Sequence, residues 1–198
     1  MIKINNINNS KPYSLFNEFY EKAFNMKQNN IQAISVSSFN KNLNEVQSRY
    51  VNLKYINDNE WIFFSNYNSP KAESFKTHDQ VSILIFWSSI NLQIRLKAKI
   101  AKTSKSFNNK YFLYRSKEKN ALSISSDQSK HIDSYEDVKL NYKKSFDFDD
   151  LTECPEYWGG FSFIPYYFEF WEGHKSRLNK REVFEKSNQS WNQFTLQP

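Results

Sequence analysis

The sequence predicts a mainly β, α+β fold, an antiparallel barrel with peripheral helices. Three observations carry this expectation. Short runs of alternating or β-branched apolar residues recur along the chain, separated by turn-forming residues such as Asn57-Asp58-Asn59. Helical spacing is confined to a few short segments between those runs. Aromatic residues make up 18% of the 198 positions, ample material for a β-rich core, and the length suits one domain.

In chain order, residues 1–11 are polar and Asn-rich, and 1–13 are expected to be a mobile arm preceding a single domain over 14–198. Leu15, Phe16, Phe19, Tyr20, Ala23 and Phe24 recur at helical spacing, which predicts a helix over Ser14–Met26. Ile31–Ser38 and Ser48–Tyr55 read as a hairpin around a turn at Asn40–Asn44. A strand follows at Trp61–Ser65. A helix then opens with Ser69 at the N-cap and Pro70 at its first position. Val81–Trp87 is an apolar strand broken only by Ser82. Leu92–Ala101 alternates, so Gln93 and Arg95 share its polar face. Helices are expected at Ser106–Tyr114 and Ser134–Lys144, and strands at Phe161–Trp171, Val183–Lys186 and Trp191–Thr195.

The formal charge is +6, but lysines are scattered and read mostly as solvated surface. Of 27 cationic residues only five are Arg: Arg49, Arg95, Arg115, Arg177 and Arg181. Arg offers a planar fork of donors suited to phosphate, so a chain that otherwise uses Lys points to an oxyanion ligand at some of these. Cys154 stands alone, which forbids an intramolecular disulfide and fits a reducing compartment. Three scattered histidines and one cysteine give no zinc spacing, and no metal is expected. There is no glycine-rich phosphate loop or dinucleotide fingerprint. No apolar run reaches membrane-spanning length and the N-terminus lacks a signal-peptide pattern, so a cytoplasmic protein with no membrane partner is expected.

All three glycines lie near the C-terminus, in Trp158-Gly159-Gly160-Phe161 and at Gly173. A chain this poor in glycine places it where positive φ or close backbone approach is needed. Between them runs the aromatic segment Tyr166–Glu172, and after them Arg177-Leu178-Asn179-Lys180-Arg181. Glu169-Phe170-Trp171, a spacer and then Arg177-Leu178-Asn179-Lys180-Arg181 resemble the C-terminal signature of the pyridoxamine 5′-phosphate oxidase family, with Lys180 where that family prefers an acid. Trp-Gly-Gly-Phe is also typical of it. The resemblance spans nearly the whole chain from Ser14 and implies a split β-barrel that binds FMN.

Other constellations fit the same family. Arg49 and Lys54 differ by an odd number and on an ideal strand face opposite sides. For that segment alone two solvated cations are the simpler reading; the resemblance assigns Arg49 to the flavin phosphate and Lys54 to the substrate phosphate. Phe64, Ser65 and Lys71 flank a helix start, a natural phosphate cradle, and match a flavin-contacting region. Pro70 stands where the family commonly has an Arg. Gln93, Gln128 and Ser129 match flavin contacts. Tyr111 and Arg115, four apart, share one face of the predicted helix. An exposed helix pair and a phosphate clamp are equally compatible with that spacing. The family's substrate-phosphate site is similar, with Ser where this chain has Lys119.

By resemblance, then, Arg49, Phe64, Ser65, Lys71, Gln93, Gln128, Ser129, Trp171 and Arg181 bind FMN. Lys54, Tyr111, Arg115 and Lys119 bind the phosphate of a B6 vitamer, and Arg177 and Asn179 lie over its ring as catalytic residues. The implied activity is oxidation of pyridoxamine or pyridoxine 5′-phosphate to pyridoxal 5′-phosphate, with dioxygen as acceptor and hydrogen peroxide as product. The implied assembly is a homodimer in which one subunit supplies the early motifs and the other Gln93, Trp171 and Arg181. Alternatives are an FMN oxidoreductase of another substrate on the same scaffold, akin to a phenazine-pathway oxidase or a flavin reductase, and a basic, aromatic-rich module for single-stranded nucleic acid.

Overall fold

The computed structural model describes residues 1–198. Its strands are β1 (Lys3–Ile7), β2 (Ala33–Asn40), β3 (Glu45–Asn52), β4 (Tyr55–Asp58), β5 (Glu60–Asn66), β6 (Gln80–Trp87), β7 (Leu92–Lys102), β8 (Trp158–Glu172), β9 (Lys180–Ser187) and β10 (Ser190–Thr195). Its helices are α1 (Lys11–Asn25), α2 (Pro70–Thr77), α3 (Lys105–Leu113), α4 (Lys117–Ser125) and α5 (Tyr135–Phe148). The strands form one sheet in the order β1-β4-β5-β8-β7-β6-β2-β3, with β9 between β8 and β10. Every pairing is antiparallel except β1 with β4. The mainly β class with peripheral helices is as the sequence predicts.

Strand β8 is the hub. One edge pairs with β7 along its length. The other takes β5 over Trp158–Phe163 and β9 over Tyr167–Glu172. The change of partner falls at Pro165, where the β7 register shifts and leaves Tyr166 unpaired. Proline cannot donate to a ladder and is tolerated at such a bulge.

The inner faces of β6 and β7 bury Val81, Ile83, Ile85, Trp87, Leu92, Ile94, Leu96 and Ala98. Helix α1 closes this core by laying Phe16 against Trp61 and Trp87, with ring centroids 4.4 and 5.5 Å apart. Burying one such side chain contributes about 1.5–3 kcal/mol.

Several expectations are corrected. Residues 3–7, expected in a mobile arm, are strand β1. Its Lys3 N–H donates to the Lys54 carbonyl at 2.9 Å, and Ile2 is buried with its N–H on Tyr20 Oη at 3.2 Å. The strand expected over Ser48–Tyr55 is two, broken at Leu53-Lys54 where the chain changes partner from β2 to β5: the Leu53 N–H donates to the Gln32 carbonyl at 2.9 Å and the Lys54 N–H to the Ile62 carbonyl at 2.8 Å. The apolar run of β6 is not buried throughout: Leu84 and Phe86 alternate outward and are 40% and 55% exposed. Helix α3 stops at Leu113, so Arg115 lies beyond it. Helix α4 gives little apolar signal, because buried Asn120 pins it through Nδ2–H bonds to the carbonyls of Phe112 and Leu151, both 2.9 Å. Ser69 occupies the N-cap of α2, but its hydroxyl donates to the Asn66 carbonyl instead of capping.

No glycine has positive φ. The left-handed turns are taken mostly by asparagine, at Asn6, Asn30, Asn44, Asn91 and Asn188. Gly159 and Gly160 serve close approach instead. Tyr67 Oη–H donates to the Gly160 carbonyl at 3.0 Å, Asn108 Nδ2–H to Tyr67 Oη at 3.0 Å, and the Gly160 N–H to Asn108 Oδ1 at 2.9 Å. A Cβ on Gly159 would overlap both Tyr67 Oη and Asn108 Nδ2. Gly159→Ala should therefore destabilise the fold by about 1–3 kcal/mol. Urea denaturation measures it, and an unchanged midpoint would contradict the close approach.

Candidate functional site

The break after β3, the end of β5, the start of α2, the turn between α3 and α4, and Trp158 of β8 enclose a cleft of about 700 Å³. None of its 17 lining residues is acidic, whereas Lys3, Lys54, Lys71, Arg115 and Lys119 all face it.

One cation group centres on Lys71. The side chain is buried, and its ammonium donates to Ser65 Oγ and Ser69 Oγ, both at 3.1 Å. Ser65 Oγ–H in turn donates to Gln128 Oε1 at 3.0 Å. Burial, and secondarily the Arg49 guanidinium nearby, push Lys71 down to about 8. Arg49 projects from β3 to the side of Val36, donating through Nη1 to Ser38 Oγ at 2.8 Å and the Val36 carbonyl at 3.1 Å. Burial lowers its pKa as well. Neither cation has a carboxylate partner. A buried cation served only by hydroxyls is an incomplete arrangement that an anion would complete.

The second group is Lys54, Arg115 and Lys119 with Tyr111. Burial, then Lys119 and Arg115, hold Lys54 below the usual lysine range. Arg115 donates through Nη1 to Ser123 Oγ at 2.9 Å and through Nη2 to the Lys119 carbonyl at 3.3 Å. Its guanidinium lies 4.4 Å from the Trp158 ring centre, a cation–π contact. Phe64 stacks on Tyr111 at 3.7 Å and on Trp158 at 5.2 Å, giving the cleft a flat aromatic wall. Burial raises the Tyr111 phenol, which keeps it a neutral donor. Tyr111 and Arg115 do meet, but across a helix end and not along one helical face as the spacing suggested.

The remaining site candidates lie elsewhere in the chain. Gln93, Trp171 and Arg181 form a cross-strand row with exposed Phe86. In the neighbouring row Glu169, 1% exposed, accepts from Arg95 Nη1 at 2.9 Å, Tyr167 Oη at 3.1 Å, and Arg181 Nε and Nη2 at 2.9 and 2.7 Å. Sequence reasoning missed Glu169 as a hub. The shared polar face of Gln93 and Arg95 held the only hint, and the cross-strand register was needed to use it.

Arg177 sits exposed in the β8–β9 loop at φ 61°. Asn179 Oδ1 holds that loop by accepting from the His174 N–H at 3.0 Å. Ser129 faces a separate hollow with Asp127, Lys130 and His131. Lys180, where the resemblance calls for an acid, is balanced by Glu172 and Glu182 at 3.1 and 3.2 Å. Burial pushes Cys154 up to about 11, so it is a thiol at neutral pH.

Comparison with known proteins adds the family. The family model described as the pyridoxine 5′-phosphate oxidase C-terminal dimerisation region matches residues 158–198. Pyridoxine/pyridoxamine 5′-phosphate oxidase 1 of Hydrogenovibrio crunogenus is 32% identical over 192 residues, covering 94% of this chain and 88% of that protein. The chain belongs to the pyridoxine/pyridoxamine 5′-phosphate oxidase family. A second member of this oxidase family, from Leptospira biflexa, is 31% identical over 190 residues, 94% of this chain and 89% of its own. Among solved structures, PhzG from Burkholderia lata in complex with tetrahydrophenazine-1-carboxylic acid superposes with a TM-score of 0.90 at 23% identity, covering 96% and 93% of the two chains. A pyridoxamine 5′-phosphate oxidase-related, FMN binding protein from Nostoc punctiforme gives 0.77 at 12% identity, covering 96% and 99%. These likenesses establish the split-barrel fold of the oxidase family for this chain.

The Lys71 group yields a pH prediction. In the folded chain Lys71 binds its proton more weakly than in the unfolded one, whose lysine titrates near ~10.4. Its protonated form therefore opposes folding below about 8, and the opposition fades as pH rises toward ~10.4. An anion bound there reverses the preference. Affinity for a phosphate-bearing ligand should fall above pH 8 by up to about tenfold per unit, with uptake of a proton. Calorimetry in buffers of different ionisation enthalpy detects the uptake, and Lys71→Met should abolish it.

Proposed function

We propose that the protein is an FMN-dependent oxidase that converts pyridoxamine or pyridoxine 5′-phosphate to pyridoxal 5′-phosphate, with dioxygen as acceptor and hydrogen peroxide as product. The observation that carries this reading is an acid-free cleft with two groups of unpaired cations, in a chain of this oxidase family. Each group offers at least two cations to one phosphate dianion. Arg49 and Lys71 fit the flavin phosphate, because buried Lys71 lacks a countercharge that such a group supplies. Lys54 and Arg115 would hold the substrate phosphate, with the neutral Tyr111 phenol donating a further hydrogen bond.

Bound FMN would supply the two-electron acceptor that dioxygen reoxidises. The protein's own share is placement. Phe64, Ser65 and Gln128 would bound the flavin beside Lys71. Fixing the substrate through its phosphate converts a bimolecular encounter into an oriented one.

Gln93, Trp171 and Arg181 do not line the cleft that Lys71 faces, so their assignment to the same flavin calls for a second copy. The match of residues 158–198 to a dimerisation region supports a homodimer, as do exposed Phe86 in that row and Leu84 in the next. In it Arg177 and Asn179 would reach the substrate ring from the partner. A second reading, an FMN oxidoreductase of another substrate, draws support from Lys119, which sets a third cation beside Lys54 and Arg115.

Two experiments test this function. The purified protein incubated with FMN should be yellow and release FMN, not FAD, on denaturation. It should consume dioxygen when given pyridoxamine 5′-phosphate. A flavin-loaded protein inert to that substrate favours the second reading, and a protein that takes up no flavin defeats both. The two arginines of the C-terminal motif then separate. Arg177→Ala should stay yellow and lose about one to two decades of kcat/KM, the scale of one charge-assisted hydrogen bond. Arg181→Ala should instead weaken flavin binding. It should also lower stability, because Glu169 keeps only Arg95 as a cationic partner. Normal flavin affinity and activity in both variants would refute these roles.

A further inference from the structure

We propose that Lys3 and Lys119 form a second anion subsite beside the substrate-phosphate group, for a ligand that carries another anionic group close to its phosphate. The chemical class is a diphosphate, or a phosphate ester with a neighbouring carboxylate. The proposal rests on the reading above, which assigns the other cations to two phosphates.

The first argument is charge. Six cations lie in or against the cleft, counting Arg49, and none of them has a carboxylate within ion-pair distance. Six exposed lysines elsewhere pair with Asp or Glu and others stand free in solvent; what sets this group apart is that its cations share one cleft with no acidic lining residue. Two phosphate dianions match Arg49 with Lys71 and Lys54 with Arg115. Lys3 and Lys119 remain, two positive charges that a single phosphate monoester leaves unmatched.

The second argument is placement. Lys119 stands close enough to Lys54 to disfavour its charge, more strongly than Arg115 does. Lys3 is held at the cleft by backbone, since its N–H bonds the Lys54 carbonyl at 2.9 Å and it pairs with Tyr55 in register. Its ammonium lies 5.7 Å from the Tyr55 ring centre, and that ring packs edge-on to Tyr111 at 5.6 Å. The four cations come from three separate pieces of chain: β1, the β3–β4 break, and the segment running from the α3–α4 turn into α4, which carries both Arg115 and Lys119. Their convergence is made by the fold and not by a local basic run. Both extra lysines are exposed, so the competing account is two solvated surface charges.

Titration calorimetry on the flavin-loaded protein decides between them. The ligands are inorganic phosphate, inorganic pyrophosphate and 2-phosphoglycolate, and the proteins are the natural chain, Lys3→Gln, Lys119→Ser and the double variant. Pyrophosphate or phosphoglycolate should bind the natural chain at least about tenfold more tightly than phosphate. The double variant should lose most of that ratio. Whichever ligand shows the larger ratio identifies the class. Lys3→Arg keeps the charge and should keep the ratio, which guards against loosening of β1 in Lys3→Gln. An equal ratio in the natural chain and the double variant, or no preference in the natural chain, overturns the subsite. No turnover is involved, so failure of the oxidase assay leaves this test intact. Should the protein take up no flavin, the same titration on Lys71→Met, which lacks the other anion site, reads the same ratio.

Discussion

The cleft depends on the side-chain knot around Gly159-Gly160. Tyr67 precedes α2, Asn108 belongs to α3, and Thr103 follows β7; all three bond one another or the Gly160 peptide, with Thr103 Oγ1–H donating to its carbonyl at 3.1 Å. These bonds are long in sequence separation and mostly buried, so each contributes roughly 1 kcal/mol when made and costs more when one partner is left unsatisfied. The knot sets α2, which carries Lys71, and α3, which carries Tyr111, against the strand that carries Trp158. Trp158 then supplies the surface on which Phe64, Tyr111 and the Arg115 guanidinium stack. A side chain at Gly159 would push these elements apart together.

Two opposite electrostatic arrangements follow from this scaffold. On the outer sheet face a buried carboxylate, Glu169, holds two guanidinium groups in fixed geometry. One of the two positive charges there is balanced within the chain, and the donors of Arg95 and Arg181 are oriented before any ligand arrives. In the cleft the cations are left without carboxylates, and burial pushes Lys71 and Lys54 toward neutrality. That arrangement costs stability in the free protein, and an anion recovers it. Helix and strand packing can sustain the cost because the aromatic core beneath α1 and β5 is extensive.

Much of the fold is written in local pattern. The alternation of Leu92–Ala101 became β7 with inner Leu92, Ile94 and Leu96, and Ser134 does cap α5 by accepting from the Asp137 N–H. What local pattern missed is what pairing at a distance decides. Nothing in Lys3–Ile7 announces a parallel partner fifty residues on, and nothing near Lys54 announces the break that turns it into the cleft. The glycines stand out in the sequence for positive φ or close backbone approach; none uses the first, and Gly159 and Gly160 use the second. The site residues named from the family signature divide between a cleft and a sheet row with its adjoining loop. That division is invisible along a sequence, because strand order is set by β8 pairing both β5 and β9.

The three departures from the family pattern acquire different weights once placed in space. Lys180 reverses a charge, yet Glu172 and Glu182 sit within ion-pair distance and confine the change to the rim of the loop. Pro70 removes a cation from the start of α2. It is exposed there, and the buried Lys71 is left to act with Arg49 and the hydroxyls of Ser65 and Ser69. Lys119 adds a cation on the opposite account, next to Lys54 and Arg115, with no acid to balance it. The combined effect is a transfer of positive charge from the Lys71 group to the Lys54 group. Loss of the cation at Pro70 alone would read as a weakened phosphate site, yet no acidic residue lines the cleft around the second group. The redistribution argues instead that the Lys54 side of the cleft is shaped around an anion, and a more highly charged one than the Lys71 side.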